Sequence, residues 1–131
     1  MLFVHGGSFD ALSPEELQYR NLLRNLCSSS GMTVVAPDYP LAPVATSKTI
    51  VPLINKCIDQ AAKRFGAVTL VGDSAGGTIA MSAALAKPRS IRAFAAISPW
   101  LDLNCTTPSW TSRQWCGAAG TGDPLYRNSP E

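Results

Sequence analysis

The sequence holds a single histidine, His5, among its 131 residues. A site built from several imidazoles is therefore excluded, and with it the commonest zinc arrangements. There is no Cys-x-x-Cys pair either. Cys27, Cys57, Cys105 and Cys116 stand far apart, which removes the usual thiolate motifs of metal and redox sites. Cys27 and Cys57 fall on the apolar faces of predicted helices and read as buried free thiols. That usage fits a reducing, cytoplasmic setting. No stretch approaches the ~20 apolar residues that span a bilayer. The amino terminus reaches His5-Gly6-Gly7 after four residues, too short and too uncharged for a signal peptide.

Charge is also scarce. Charged residues make up 15% of the chain, the net charge is +2, and the lysines and arginines form no run. Nothing is built to follow a phosphate backbone, so a nucleic-acid partner is excluded. What the sequence does hold is apolar, at 46% hydrophobic residues. That suffices for one domain with a hydrophobic core, and the length is too small for two.

Strand and helix patterns alternate. Residues 2–5 form a short apolar run. Ser13 then reads as a helix N-cap, with Pro14 at the first helical position and Glu16 closing a capping box. Tyr19, Leu22, Leu23, Leu26 and Cys27 share one helical face, and Gly31 is placed to end the helix in a left-handed turn. Residues 32–37 (MTVVAP) predict a strand, and residues 38–47, rich in proline, a loop. A helix follows over 49–65, with Pro52 in its tolerant first turn. Residues 67–71 predict a strand, 78–86 the body of a third helix, and 91–97 (IRAFAAI) a fourth strand. Apolar runs of this kind belong to parallel strands buried on both faces. The expected fold is α/β, a parallel sheet of about four strands with helices on both faces. After Pro99 the pattern weakens to loop, with one short helix near 109–116.

Two segments carry chemistry. GDSAGG (residues 72–77) fits G-x-S-x-G between a predicted strand and a predicted helix. A serine at such a turn is held in a strained backbone conformation, and the flanking Gly72 and Gly76 let neighbouring chain pass closely. The turn lifts the Ser74 hydroxyl above the carboxyl ends of the strands. It also aims the amide of Ala75 at developing negative charge. The GDSGG of trypsin-like proteases is a rival match, but Ala75 interrupts it and the helical TIAMSAALA that follows does not belong in a β-barrel. The second segment is HGGSF (residues 5–9), which follows the first strand. Alone it reads as a glycine turn. Upstream of the elbow, it resembles the HGGG-type segment that completes an oxyanion hole.

Together with DYPLAP (38–43) and SPWLDL (98–103), these segments make the chain resemble the hormone-sensitive-lipase-like esterases, the fold-3 group of α/β hydrolases. The four motifs stand in that family's order and span most of the chain. The resemblance implies a carboxylic ester hydrolase working through an acyl-enzyme on a small-molecule ester, with no cofactor and no metal. It implies Ser74 as nucleophile and the backbone amides of Gly7, Ser8 and Ala75 as oxyanion donors. Gly72, Asp73, Gly76 and Gly77 support the elbow, and His5 is a structural residue near the site. Asp73 is expected to bond locally, and Asp102 to take no part in catalysis. The family's third glycine is Ser8 here, which a backbone donor tolerates. Pro40 and Val44 replace an arginine and a glutamate that could tie the DYPLAP loop down.

A serine hydroxyl needs a base, and in this fold the order is Ser, then Asp or Glu, then His. No histidine follows Ser74. Asp123 could be imagined as the acid, but Asp123-Pro124 resembles a loop that precedes the acid-bearing strand. The chain is therefore expected to be a partial hydrolase domain over residues 1–131. It would lack leading strands, a lid and the segment carrying acid and base, with little or no turnover. A non-catalytic small-molecule binder on the same scaffold is the alternative, as in the plant gibberellin receptor, which resembles this family. A remnant that folds poorly, with open sheet edges, is a third. The glycine-rich 117–122 lacks the Lys-Ser/Thr of a phosphate loop. Trp100, Trp110 and Trp115 could line an acyl pocket or pack over the sheet end. Oligomeric state is not legible.

Overall fold

The computed structural model describes residues 1–104 and 106–108. The helix expected near 109–116, the glycine-rich segment, Asp123, Trp110, Trp115, Cys105 and Cys116 lie outside them. The chain divides into two compact units, Met1–Leu101 and Asp102–Glu131. In the described part of the second, the Asp102 carboxylate accepts from the Thr107 amide at 2.7 Å. That bond, ahead of further ones from Thr106 and Thr107, holds the Asp102 carboxyl below the usual range.

The first unit runs β1 (Leu2–Val4), α1 (Leu17–Ser30), α2 (Ser47–Phe65), β2 (Val68–Asp73), α3 (Ser74–Ala86), a 3₁₀ turn (Pro88–Ser90) and β3 (Ile91–Ile97). The three strands lie in the order β1-β2-β3, all parallel. Period-two alternation splits β1 between two cores. Leu2 and Val4 join Leu70, Ile50, Ile54, Ile58 and Ile79 on the face covered by α2 and α3. Phe3 and Val71 point the other way, to Tyr19, Leu22, Leu23 and Leu26 of α1. Helices thus cover both faces, as the alternating pattern requires.

Residues 32–37 do not form a full strand. Val35 makes an isolated parallel bridge to Leu2, with Phe3 N–H donating to Val35 O at 2.8 Å and Val35 N–H to Met1 O at 2.9 Å. The sheet therefore holds three strands with a bridge in place of the fourth. At the opposite edge, β3 is not buried on both faces. Phe94 and Ile97 are 38% and 47% exposed, because among the described residues α3 covers β3 on one side and nothing covers the other.

Helix ends differ from expectation for local reasons. The Ser13 hydroxyl accepts from Glu15 N–H at 3.1 Å and its carbonyl from Glu16 N–H at 3.2 Å. Ser13-Pro14-Glu15-Glu16 is thus a turn, where proline suits the second position. The helix proper starts at Leu17, with no side-chain cap. It ends as expected, at Gly31 with φ 65°. Cys27 is exposed, against expectation. Eight residues beyond Tyr19, a helix has drifted about 80° from its starting face. Cys57 is half-buried, and burial raises its thiol pKa. The second helix begins at Ser47, so Pro52 lies one turn deeper than expected. Pro52 is exposed, and the Lys48 carbonyl it leaves without a helical donor is on an exposed residue.

Candidate active site at the carboxyl edge of the sheet

Strand β2 runs directly into α3 with no intervening loop: Asp73 is the last strand residue and Ser74 the first helical one. The reversal is absorbed at Ser74, whose φ is +49°. A non-glycine residue there is strained. Ser8 (54°), Phe9 (72°), Leu12 (69°) and Ser98 (43°) share this feature, and with Ser74 they complete the set among the described residues. Ser8, Phe9 and Leu12 follow β1, and Ser98 follows β3. The register pairs Val4 with Gly72 and Asp73 with Ile97. All the strained residues therefore gather at the carboxyl edge, where open α/β sheets bind ligands.

Close packing at the junction depends on missing side chains. A Cβ on Gly76 would overlap the carbonyl oxygens of Val4 and His5, and one on Gly6 would lie 3.0 Å from the Ser74 Cβ. The loop after β1 thus lies directly against the serine. Gly72 closes the strand beneath the first turn of α3, and Gly77 sits against Pro99. Ala75, fully buried, stands in the first turn of α3, where its amide has no helical acceptor. The amides of Gly7 and Ser8 donate to nothing among the described residues. The Gly7 carbonyl instead accepts from the amides of Asp10 and Ala11, at 3.1 and 2.9 Å, which closes the loop into a turn.

His5 is fully buried. Its Nδ1 lies 2.7 Å from the Gly6 carbonyl oxygen, which can only accept, so Nδ1 carries the proton. Nε2 is buried without a partner. The ring stacks on Tyr39 at 4.3 Å and 14°, and the Tyr39 hydroxyl donates to the His5 carbonyl at 2.6 Å. Burial pushes the Tyr39 hydroxyl pKa well up. A trans peptide points its N–H opposite its C=O. The His5 grip on the Gly6 carbonyl therefore also sets the direction of the Gly7 amide.

Asp73 reaches further than a local bond. Its Oδ1 accepts from the Gly6 amide at 2.9 Å and its Oδ2 from the Tyr19 hydroxyl at 2.8 Å. The Tyr19 oxygen accepts from the same Gly6 amide at 2.8 Å. Burial first, then the bond to Asp73, pushes the Tyr19 hydroxyl up to about 12, with the Gly6 amide pulling the other way. On the other flank, Trp100 N–H donates to the Ser74 carbonyl at 3.1 Å, and the Thr78 hydroxyl donates to the Trp100 carbonyl. The Trp100 ring meets Phe9 at 5.8 Å. The DYPLAP loop, without its family's charged ties, is held by Tyr39 and by Ala42 N–H to Phe9 O at 2.8 Å.

The structure thus brings Gly6, Gly7, Ser8, Asp73, Ser74, Ala75 and Trp100 to one edge. The tyrosines were not legible as site residues. Tyr19 counts as one apolar-face position in a helix, and the signal it carries is that a buried phenol needs a polar partner.

This arrangement, a strained serine between a parallel strand and a helix with free amides alongside, defines the hydrolase class of α/β fold. A family model of the alpha/beta hydrolase fold matches residues 1–122, and the chain belongs to that family. A triacylglycerol lipase of Mycobacterium tuberculosis is 33% identical over 130 residues, covering 93% of this chain and 28% of that protein. An acetyl-hydrolase of Streptomyces hygroscopicus is 36% identical over 123 residues, covering 87% and 40%. Among solved structures, an esterase of Pyrobaculum calidifontis superposes with a TM-score of 0.69 at 28% identity, covering 75% of this chain and 35% of that one. The chain spans 28–40% of the length of these proteins. No described helix is long and apolar enough to cross a membrane.

Proposed function

We propose that this chain carries the nucleophile and oxyanion half of a carboxylic ester hydrolase acting on small-molecule esters. The observation that carries the reading is Ser74 at φ +49°, between a parallel strand and a helix N-terminus, with the loop of Gly6, Gly7 and Ser8 packed against it. Strain of this kind persists where the surroundings over-determine it, and it clusters at active sites. The lipase, acetyl-hydrolase and esterase among its relatives support the same chemistry.

In this reading Ser74 Oγ attacks the ester carbonyl carbon. The tetrahedral oxyanion is received by the amides of Gly7, Ser8 and Ala75, each donor contributing roughly 2.7–4 kcal/mol. The bond to the alkoxy oxygen breaks, the alcohol leaves with a proton, and the acyl group stays on Ser74 until water removes it. The proton is the difficulty. The one histidine of the chain is fully engaged elsewhere: Nδ1 holds the Gly6 carbonyl and Nε2 is buried. His5 is therefore an organiser of the oxyanion loop and cannot serve as the base.

Acylation by this chain then rests on the oxyanion hole alone. Enzymes stripped of triad members keep about 10³–10⁴-fold over water by that route. The test is p-nitrophenol release from p-nitrophenyl acetate by the chain and by Ser74→Ala. A slow release that the substitution abolishes supports the reading. Equal release from both proteins contradicts the role of Ser74. Turnover on the order of 10 s⁻¹, as in ordinary enzymes, contradicts the missing base. The engagement of His5 also favours a second reading, a small-molecule binder on a hydrolase scaffold. Saturable binding of an ester without acylation of Ser74 would distinguish it.

A further inference from the structure

We infer that Tyr19, in the first turn of α1 and outside every recognisable motif, is a positioning residue for the oxyanion loop. The proposal rests on the reading of Ser74 and its amides given above, and assigns to that site a residue it did not include.

Tyr19, Asp73 and Gly6 form a closed ring of hydrogen bonds. The phenol donates to Asp73 Oδ2 at 2.8 Å, the Gly6 amide donates to Asp73 Oδ1 at 2.9 Å, and the same amide donates to the phenol oxygen at 2.8 Å. Each member comes from a different part of the chain. Asp73 precedes the nucleophile, Gly6 precedes the two amides of the oxyanion loop, and Tyr19 stands on the helix that packs on the far face of the sheet. The ring thus ties serine turn and oxyanion loop to a third, rigid body.

Asp73 alone could hold the Gly6 amide, so what the phenol adds must be specified. A carboxylate bonded through one oxygen can swing about its χ angles. Bonded through both oxygens, it is fixed in plane. The phenol is itself immobilised, 6% exposed and packed at a tilt between Phe3 (6.0 Å) and His5 (5.7 Å). Through Asp73 it thus fixes the Gly6 N–H, while His5 Nδ1 fixes the Gly6 C=O. With both sides of Gly6 held, the peptide carrying the Gly7 amide has one orientation. Small displacements of such donors are costly, up to about 10²-fold in rate for 1 Å.

Tyr19→Phe keeps the ring and its packing and removes only the oxygen. Leu26→Ala, on the same helix and in the same apolar cluster, weakens α1 packing without touching the ring. The ¹H–¹⁵N signals of Gly7 and Ser8 are expected to move in Tyr19→Phe and to stay in place in Leu26→Ala. Release of p-nitrophenol should fall on the order of tenfold in kcat with KM little changed, within the range set by donor misplacement. In the unsubstituted chain, the Gly6 amide should exchange with solvent slowly. Unmoved Gly7 and Ser8 signals in a folded Tyr19→Phe protein overturn the proposal, as does equal displacement by Leu26→Ala. A Gly6 amide exchanging at the free-peptide rate overturns it even if Tyr19→Phe fails to fold. If Ser74→Ala and the parent chain release p-nitrophenol alike, the functional reading fails. The amide signals then still decide the role of Tyr19.

Discussion

Tyr39 holds His5 in two ways at once: its ring stacks on the imidazole at 4.3 Å, and its hydroxyl donates to the His5 carbonyl at 2.6 Å. Both residues are almost wholly buried, and the second grip satisfies a carbonyl that water cannot reach. Tyr39→Phe leaves that carbonyl unpaired, at a cost of about 1–3 kcal/mol. Tyr39→Ala also loses the packed ring, for about 3–5 kcal/mol in all. Urea unfolding of both variants checks the order, and equal losses would show that the hydroxyl contributes nothing.

Gly76→Ala tests the approach of α3 to β1. The added methyl meets the carbonyl oxygens of Val4 and His5, backbone atoms that cannot rotate away. Overpacking of this kind costs about 1–3 kcal/mol or more. The expected result is a lowered unfolding midpoint together with loss of Ser74 acylation. A Gly76→Ala protein as stable as the parent would mean the two elements are not in contact.

The Tyr19 phenol has its pKa raised to about 12 from the ordinary 10.0. The folded state therefore favours the neutral form. Its contribution to stability is fully present below pH 10 and is lost as pH rises through 12. Tyr39 shifts in the same direction. Stability measured between about pH 9 and about pH 11.5 should fall in the parent chain and fall less steeply in Tyr19→Phe. Parallel curves would remove Tyr19 from the titration.

The thiols offer a simple check on α1. Cys27 is exposed, whereas Cys57 is half-buried with a raised pKa, and it is the thiolate that reacts. Iodoacetamide followed by peptide mapping should modify Cys27 first. Earlier labelling of Cys57 would mean that α1 is turned otherwise on the sheet.

The strand-to-helix serine was legible because two periods meet at it. AVTLV reads as a buried strand, TIAMSAALA as a helix, and G-x-S-x-G marks the join. The segment at His5 was legible only through its place upstream. The Tyr19–Asp73–Gly6 ring was not, since its members lie 13 and 54 residues apart in sequence, and no local pattern encodes a contact of that range. Residues 32–37 misled for another reason. β-branched residues favour extended backbone, but a ladder also needs a partner in register, and Val35 alone finds one in Leu2. Ser13 and Pro14 carry a helix-start signal that a turn uses equally well.

Acylation of Ser74 tests the central claim most directly. The chain is incubated with excess p-nitrophenyl acetate, quenched in acid and digested, and the acetylated peptide is located by mass spectrometry. The account predicts an acetyl group on Ser74, accumulating because no base in this chain speeds its removal, and absent from Ser74→Ala. Acetylation confined to lysines, at equal levels in both proteins, would contradict it.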